Sequence, residues 1–131
     1  MEKGIYIILN QTLQHMEPWR MLNTITMLSI VIGSKLAPEN FGNEVIDASS
    51  IKHAAIGNIV LPILGIKEAE MNAYYVKCKQ QELNSEFEVI DFTLTAQNSH
   101  IYEEYDKKLA AQKTEEQLLL GIALVGELKA V

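Results

Sequence analysis

Asp91 is the carboxylate of this chain best placed to do chemistry, because it stands between Ile90 and Phe92 in the run FEVIDF, at the end of an apolar segment. A partly buried carboxylate there could act as a general base, its pKa raised by desolvation. The competing role is structural: such an Asp accepts backbone hydrogen bonds or caps the turn that follows. His53 is a second candidate base, set in a long mixed stretch where a surface histidine is the commoner case. Near Asp91 along the same segment come Thr93 and Gln97; Asn10 closes the first apolar run, and Trp19 and Asn23 lie at the start of the helix after it. Together Asn10, Trp19, Asn23, Asp91, Thr93 and Gln97 compose a polar pocket with one aromatic wall, suited to a small polar ligand. Taken singly, Asn and Thr as readily cap helices and brace turns, and Trp19 as readily belongs to the core or its rim.

Other chemistries find less to work with. His15, His53 and His100 have no i,i+3 or i,i+4 spacing among themselves, so no metal geometry is legible and no cofactor is implied. Cys78 is the single cysteine, which rules out an intrachain disulfide and a cysteine-ligated zinc and fits a reducing, cytoplasmic setting. It falls mid-helix on an apolar flank, the position of a small hydrophobe rather than a nucleophile. Gly4, Gly33, Gly42, Gly57 and Gly65 stand apart and form no phosphate-cradling loop, and no nucleophile elbow occurs.

The elements that must position these residues alternate in type. Gly4–Leu9 is a continuous apolar run, as expected of a strand buried on both faces. Pro18 opens a helix, with Glu17 favourable beside its N-terminus. Along it Met21, Leu22, Ile25, Leu28 and Ile32 define a core face, and Met27, Ile30 and Val31 add a second apolar flank. Trp19, Asn23 and Thr26 make a polar seam where strand and helix meet. Residues 37–57 read as a long excursion with one short strand at Glu44–Ala48, the kind of loop that carries function or hidden structure. Asn58–Leu64 is a strand that Pro62 confines to a sheet edge. Lys67–Gln81 is a helix with Ile66, Ala69, Ala73 and Val76 on one face and Met71, Tyr75 and Cys78 beside it. Phe87–Phe92 is a third strand, TLTAQNS a polar loop, and His100–Gln112 a helix with Ile101, Tyr105 and Leu109 inward. Thr114 and Gln117 have the spacing of a capping box, and Leu118–Val125 is an interior strand. This alternation predicts one α/β domain over 1–131, with right-handed crossovers and helices on both faces of the sheet.

At 131 residues with 48% hydrophobic and 21% charged, the chain has ordinary globular composition. A net charge of −6 argues against a broad nucleic-acid-binding face. MEKGIYIILNQ lacks the h-region and cleavage site of a signal peptide, and the most apolar helix is too interrupted to span a membrane. The exposed edge at Asn58–Leu64, or the second flank of the first helix, could bury itself in a homodimer.

PWRMLNTITMLS at 18–29, NIVLPILG at 58–65, VIDFTLTAQ at 89–97, YEEY at 102–105 and LLLGIALVGELKAV at 118–131 resemble, in order, the domain-of-unknown-function 2000 family, whose members share the fold of peptidyl-tRNA hydrolase II. That resemblance implies a three-layer α/β/α sandwich on a mixed four-stranded sheet, ordered 2-1-4-3 with the last strand antiparallel. Peptidyl-tRNA hydrolase II carries a lysine early in its first helix, then glutamine and histidine, within a basic surface. The corresponding stretch here offers Trp19-Arg20, Asn23 and Thr26. Family members are expected to run on somewhat past the position of Val131. The expectation is therefore a small-ligand binding domain without peptidyl-tRNA hydrolase activity. Its rivals are a hydrolase or transferase on an ester or amide, with Asp91 or His53 as base and Asn23 positioning the substrate, and a homo-oligomeric assembly module.

Overall fold

The computed structural model describes residues 3–84, 87–99 and 101–127. The first apolar run is a strand, β1 (Lys3–Asn10), and it forms the spine of a four-stranded sheet. On one side β1 pairs in parallel with β4 (Ile63–Ile66); on the other it pairs antiparallel with β6 (Leu119–Glu127), which in turn pairs antiparallel with β5 (Phe87–Thr93). The order is β4-β1-β6-β5, so β6 runs against the other three strands. Both central strands are apolar between their ends, over 4–9 and 119–126, because both their faces are covered. Ile5, Ile7 and Leu9 pack with Leu28 and Ile32 of helix α1 (Pro18–Ser34), whereas Ile8 packs with Met71 and Cys78 of helix α2 (Glu68–Glu82). Helices thus lie on opposite faces of the sheet, as the alternation of elements implied.

Several local expectations are corrected. In α1, Leu22 is 65% exposed rather than part of the core, while Thr24 is fully buried and donates its hydroxyl to the Arg20 carbonyl at 2.7 Å. Satisfying the hydroxyl within the helix is what allows a threonine to sit there. Trp19 and Thr26 point outward, so the polar seam reduces to Asn23. The face of α2 is Met71, Tyr74, Tyr75 and Cys78, an i, i+3, i+4, i+7 set, and Ala69, Ala73 and Val76 are exposed. The larger side chains win the contact with the sheet.

The excursion is a hairpin of β2 (Val45–Ile46) and β3 (Lys52–His53), a separate two-stranded sheet. The strand expected at Asn58–Leu64 begins only after Pro62, which has no N–H for the ladder; its carbonyl still accepts from the Ile7 amide at 3.0 Å. Its edge position stands. The TLTAQNS stretch is not a loop but a short helix, α3 (Leu94–Asn98), because the Thr93 hydroxyl caps it by accepting from the Ala96 amide at 3.2 Å. The next helix, α4, is Tyr102–Ala110 with Ile101 62% exposed ahead of it; His100 lies outside the described residues. A 3-10 turn at Thr114–Glu116 has Lys113, not Thr114, at its N-cap.

One close approach ties α1 to the sheet. Between Phe92 and Thr93 the β5–β6 register shifts, with Leu120 left over between Leu119 and Gly121. A Cβ on Gly121 would come within 3.0 Å of Thr24 and 3.1 Å of Leu28 and Leu9, so only a glycine lets the helix seat this closely.

Candidate functional site

The carboxyl ends of the parallel strands β1 and β5 open toward the start of α1 and toward α3, the place where ligands settle in open α/β sheets. Arg20 is the only charged residue of α1, and its side chain is 16% exposed. Its Nη1 donates to Gln97 Oε1 at 2.9 Å and to Asn98 Oδ1 at 3.0 Å, and its Nε to Glu17 Oε1 at 3.3 Å. The guanidinium also lies 4.5 Å from the centre of the Trp19 ring. Trp19 donates its indole N–H to the other Glu17 oxygen at 3.1 Å, and these two donors hold the Glu17 carboxyl below its usual pKa, Trp19 first and Arg20 second. Gln97 Nε2 returns to α1, donating to the Arg20 carbonyl at 2.9 Å and to Asn23 Oδ1 at 3.1 Å. α3 is therefore clamped to α1 by amides, and the clamp fixes the guanidinium.

Next to the clamp is an open cleft of about 240 Å³. Asn98 belongs to both, since it lines the cleft with Thr95, Lys108, Gln112 and Glu116, while Leu94 and Leu118 supply the apolar floor. Thr95 donates to Gln112 at 3.0 Å and Lys108 is held by Glu104, so the wall is ordered by its own contacts.

Trp19, Asn23 and Gln97 are thus brought together; the other expected residues are not. Asn10 is buried, donating to the Leu119 carbonyl at 2.9 Å and accepting from the Thr12 amide at 2.9 Å. It braces the end of β1 against the start of β6, and Thr93 caps α3. Both are structural. Asp91 is on the opposite face of the sheet, with Phe87 and Val89, where its carboxylate accepts from the Tyr75 hydroxyl at 3.1 Å. The strand's period of two removes it from Asn23 and Gln97. Burial, with the Asp91 charge adding to it, pushes the Tyr75 phenol far above its usual pKa, so Tyr75 remains a donor. His53 belongs to the hairpin, where its ring nitrogen meets Asp47 at 2.8 Å and holds that carboxyl below its usual range. The hydrolase constellation of Asp91 or His53 with Asn23 does not assemble.

Arg20, Asn98, Lys108 and Gln112 were not singled out by sequence reasoning. For Arg20 a signal existed: one cation in an otherwise uncharged helix, directly after a tryptophan. The others depend on α3 being a helix. Among the described residues no three His, Cys, Asp or Glu side chains come together as a metal ion would require, and no helix is long and apolar enough to cross a membrane. Burial raises the Cys78 thiol's pKa, against a nucleophilic role.

Functionally curated proteins yield no match to this chain. Among solved structures it resembles a protein of unknown function, Atu0240 of Agrobacterium tumefaciens strain C58, with a TM-score of 0.77 over 100% of this chain and 91% of that one at 14% identity. At that identity the likeness is one of fold. The model of the family described as protein of unknown function (DUF2000) matches residues 4–131, and the chain belongs to that family.

Proposed function

We propose that this chain binds a small acidic molecule in the cleft beside Arg20. The observation that carries this reading is the state of the guanidinium. It is largely buried and oriented by Glu17, Trp19, Gln97 and Asn98, yet among the described residues no acceptor meets its Nη2. A fixed guanidinium with unused donors, joined to the cleft through Asn98, is a receptor for a carboxylate or phosphate group. The cleft's small volume favours a compact molecule over a macromolecule.

The order and directions of the four sheet strands support kinship with the peptidyl-tRNA hydrolase II fold, while the first helix argues for a different use of it. The stretch corresponding to that enzyme's lysine, glutamine and histidine offers Trp19-Arg20, Asn23 and Thr26, without the lysine or the histidine; the Thr26 hydroxyl is spent on the Leu22 carbonyl, and a net charge of −6 argues against a broad tRNA-binding surface. We place the protein in the cytoplasm for the single-cysteine reason given above.

The test is thermal unfolding against a panel of carboxylic acids, sugar phosphates, nucleotides and neutral sugars. An acidic ligand at about one hundred times its Kd should add about 2.7 kcal/mol, a shift of several degrees in a domain of this size. Arg20→Ala should abolish the shift. A panel in which only neutral molecules stabilise, or in which the shift survives Arg20→Ala, rejects the proposal.

A further inference from the structure

The charges around the cleft do not all answer one another. Lys108 is held by Glu104, and Glu17 takes one edge of the Arg20 guanidinium. Glu116, the last residue of the 3-10 turn at Thr114–Glu116, lines the cleft and is exposed. Among the described residues its carboxylate meets neither a cation nor a hydrogen-bond donor. Lys108 is spent on Glu104, and Lys113, three residues earlier, makes no ion pair with it.

The amides of the wall are turned the other way. Asn98 Oδ1 accepts from Arg20 and Gln112 Oε1 accepts from Thr95, so the side-chain N–H groups of Asn98 and Gln112 are left without acceptors among the described residues. Together with Nη2 of Arg20, these are donors suited to an acid. Asn98 also fixes the place: it bonds the guanidinium at 3.0 Å and is part of the cleft wall, so an acid on Arg20 is seated beside the cleft. Glu116 is then the second charge that an occupant meets. The Debye length at physiological salt is about 8 Å, so in a cleft of about 240 Å³ every group of an occupant feels the Glu116 carboxylate. A plain anion is repelled by it, and an occupant that also carries a positive group is attracted.

We propose that the ligand is an amino acid or a like zwitterion, its acid group on Arg20 and its ammonium group on Glu116. This rests on the cleft beside Arg20 being an acid-binding site and narrows what that site takes. Leu94 and Leu118, the apolar floor, suit the carbon chain between the two charged ends. The acid end is a carboxylate or a phosphate ester, since a guanidinium fork fits both.

Isothermal titration of the full chain compares matched pairs with and without the amine: alanine against propionate, γ-aminobutyrate against butyrate, ε-aminocaproate against caproate, and aminoethyl phosphate against ethyl phosphate. At neutral pH the amine-bearing member of the best-fitting pair should bind about tenfold tighter than its partner, the scale of one hydrogen-bonded charge. Which pair shows the difference tells carboxylate from phosphate and reads the spacing between the two charges. Glu116→Gln, a change at an exposed position, should erase the preference while the plain acid binds as well as before or better, and added salt should shrink the preference in the unmodified protein. Arg20→Ala should abolish binding of both members. Plain acids that bind through Arg20 as tightly as their amino counterparts, or a preference that persists in Glu116→Gln, overturn this inference and leave the acid-binding reading standing. If no member of any pair binds, or if Arg20→Ala binds them undiminished, the acid-binding reading fails and this inference with it.

Discussion

On the α2 face of the sheet, polar groups end on partners within the same layer: Tyr75 donates to Asp91, and Glu82 takes both the Lys79 ammonium and the Val89 amide. On the α1 face they converge from two elements, Gln97 and Asn98 from α3 onto Arg20 and Asn23 from α1, and the guanidinium still has donors to spare. A network that closes on itself stabilises and specifies a fold; one that ends on a fixed, half-used cation at a cleft can recruit something else. On the proposed reading, the contrast gives structure to one face and binding to the other, although both faces have comparable apolar cores.

Leu28→Ala and Met71→Ala test that last clause with the largest expected effects. Each residue is 1% exposed at the centre of its layer, and each truncation should cost about 2–5 kcal/mol in urea unfolding. Similar costs would confine the contrast to the polar groups. A much cheaper Met71→Ala would mean that α2 packs loosely and that the faces differ in packing as well. Gly121→Ala comes next. Its methyl would press on Thr24, Leu28 and Leu9, forcing α1 outward at a cost of about 1–2 kcal/mol. Because Thr24 bonds to the Arg20 carbonyl, the displacement should also weaken ligand binding, which an equally destabilising change on the α2 face should not.

The layers of this fold were legible because the apolar runs at residues 4–9 and 118–125 admit no other environment than a sheet covered on both sides, and Pro62 placed its strand at the edge. What escaped were properties set by neighbours distant in the chain. Asp91 looked catalytic from its position at a strand end, but the register that turns it toward Tyr75 depends on which helix covers which face. Asn10 and Thr93 are among the most buried polar residues, and their partners, Leu119 and Ala96, explain them fully. Arg20 was visible as a charge in an apolar helix and in the stretch matching the hydrolase motif; the role proposed for it needs α3, which propensity alone made a loop. The excursion's hairpin was half seen, since Glu44–Ala48 contains β2 but its partner β3 carries Lys52 and His53, residues with little preference for strands.

A crossed pair of smaller changes addresses the contrast directly. Tyr75→Phe removes one hydrogen bond to Asp91 and should cost about 1 kcal/mol of stability while leaving ligand affinity unchanged. Arg20→Ala should abolish binding, at a stability cost of about 1–3 kcal/mol because Gln97 and Asn98 lose their donor. Isothermal titration and urea unfolding on the same two proteins separate them. If both variants lose stability and affinity in parallel, the faces are coupled through the sheet and the division of labour fails.

The smallest effect is a pH dependence on the face assigned to structure. Desolvation works to raise the Glu82 carboxyl, but the Lys79 ammonium and the Val89 amide outweigh it and hold the pKa below the ordinary glutamate value. A depressed folded-state pKa means that the unfolded chain takes up the proton first. The stabilisation from Glu82 is therefore complete above its ordinary pKa, falls as the pH drops, and is gone once the pH passes below the folded value. Glu82→Gln should flatten that acid limb by well under about 1 kcal/mol and leave stability at neutral pH slightly lower, because a neutral amide pairs less strongly with Lys79. Ligand affinity should show no trace of the substitution at any pH. Should the affinity titrate with Glu82, the α2 face takes part in binding, and the boundary drawn between the two faces is in the wrong place.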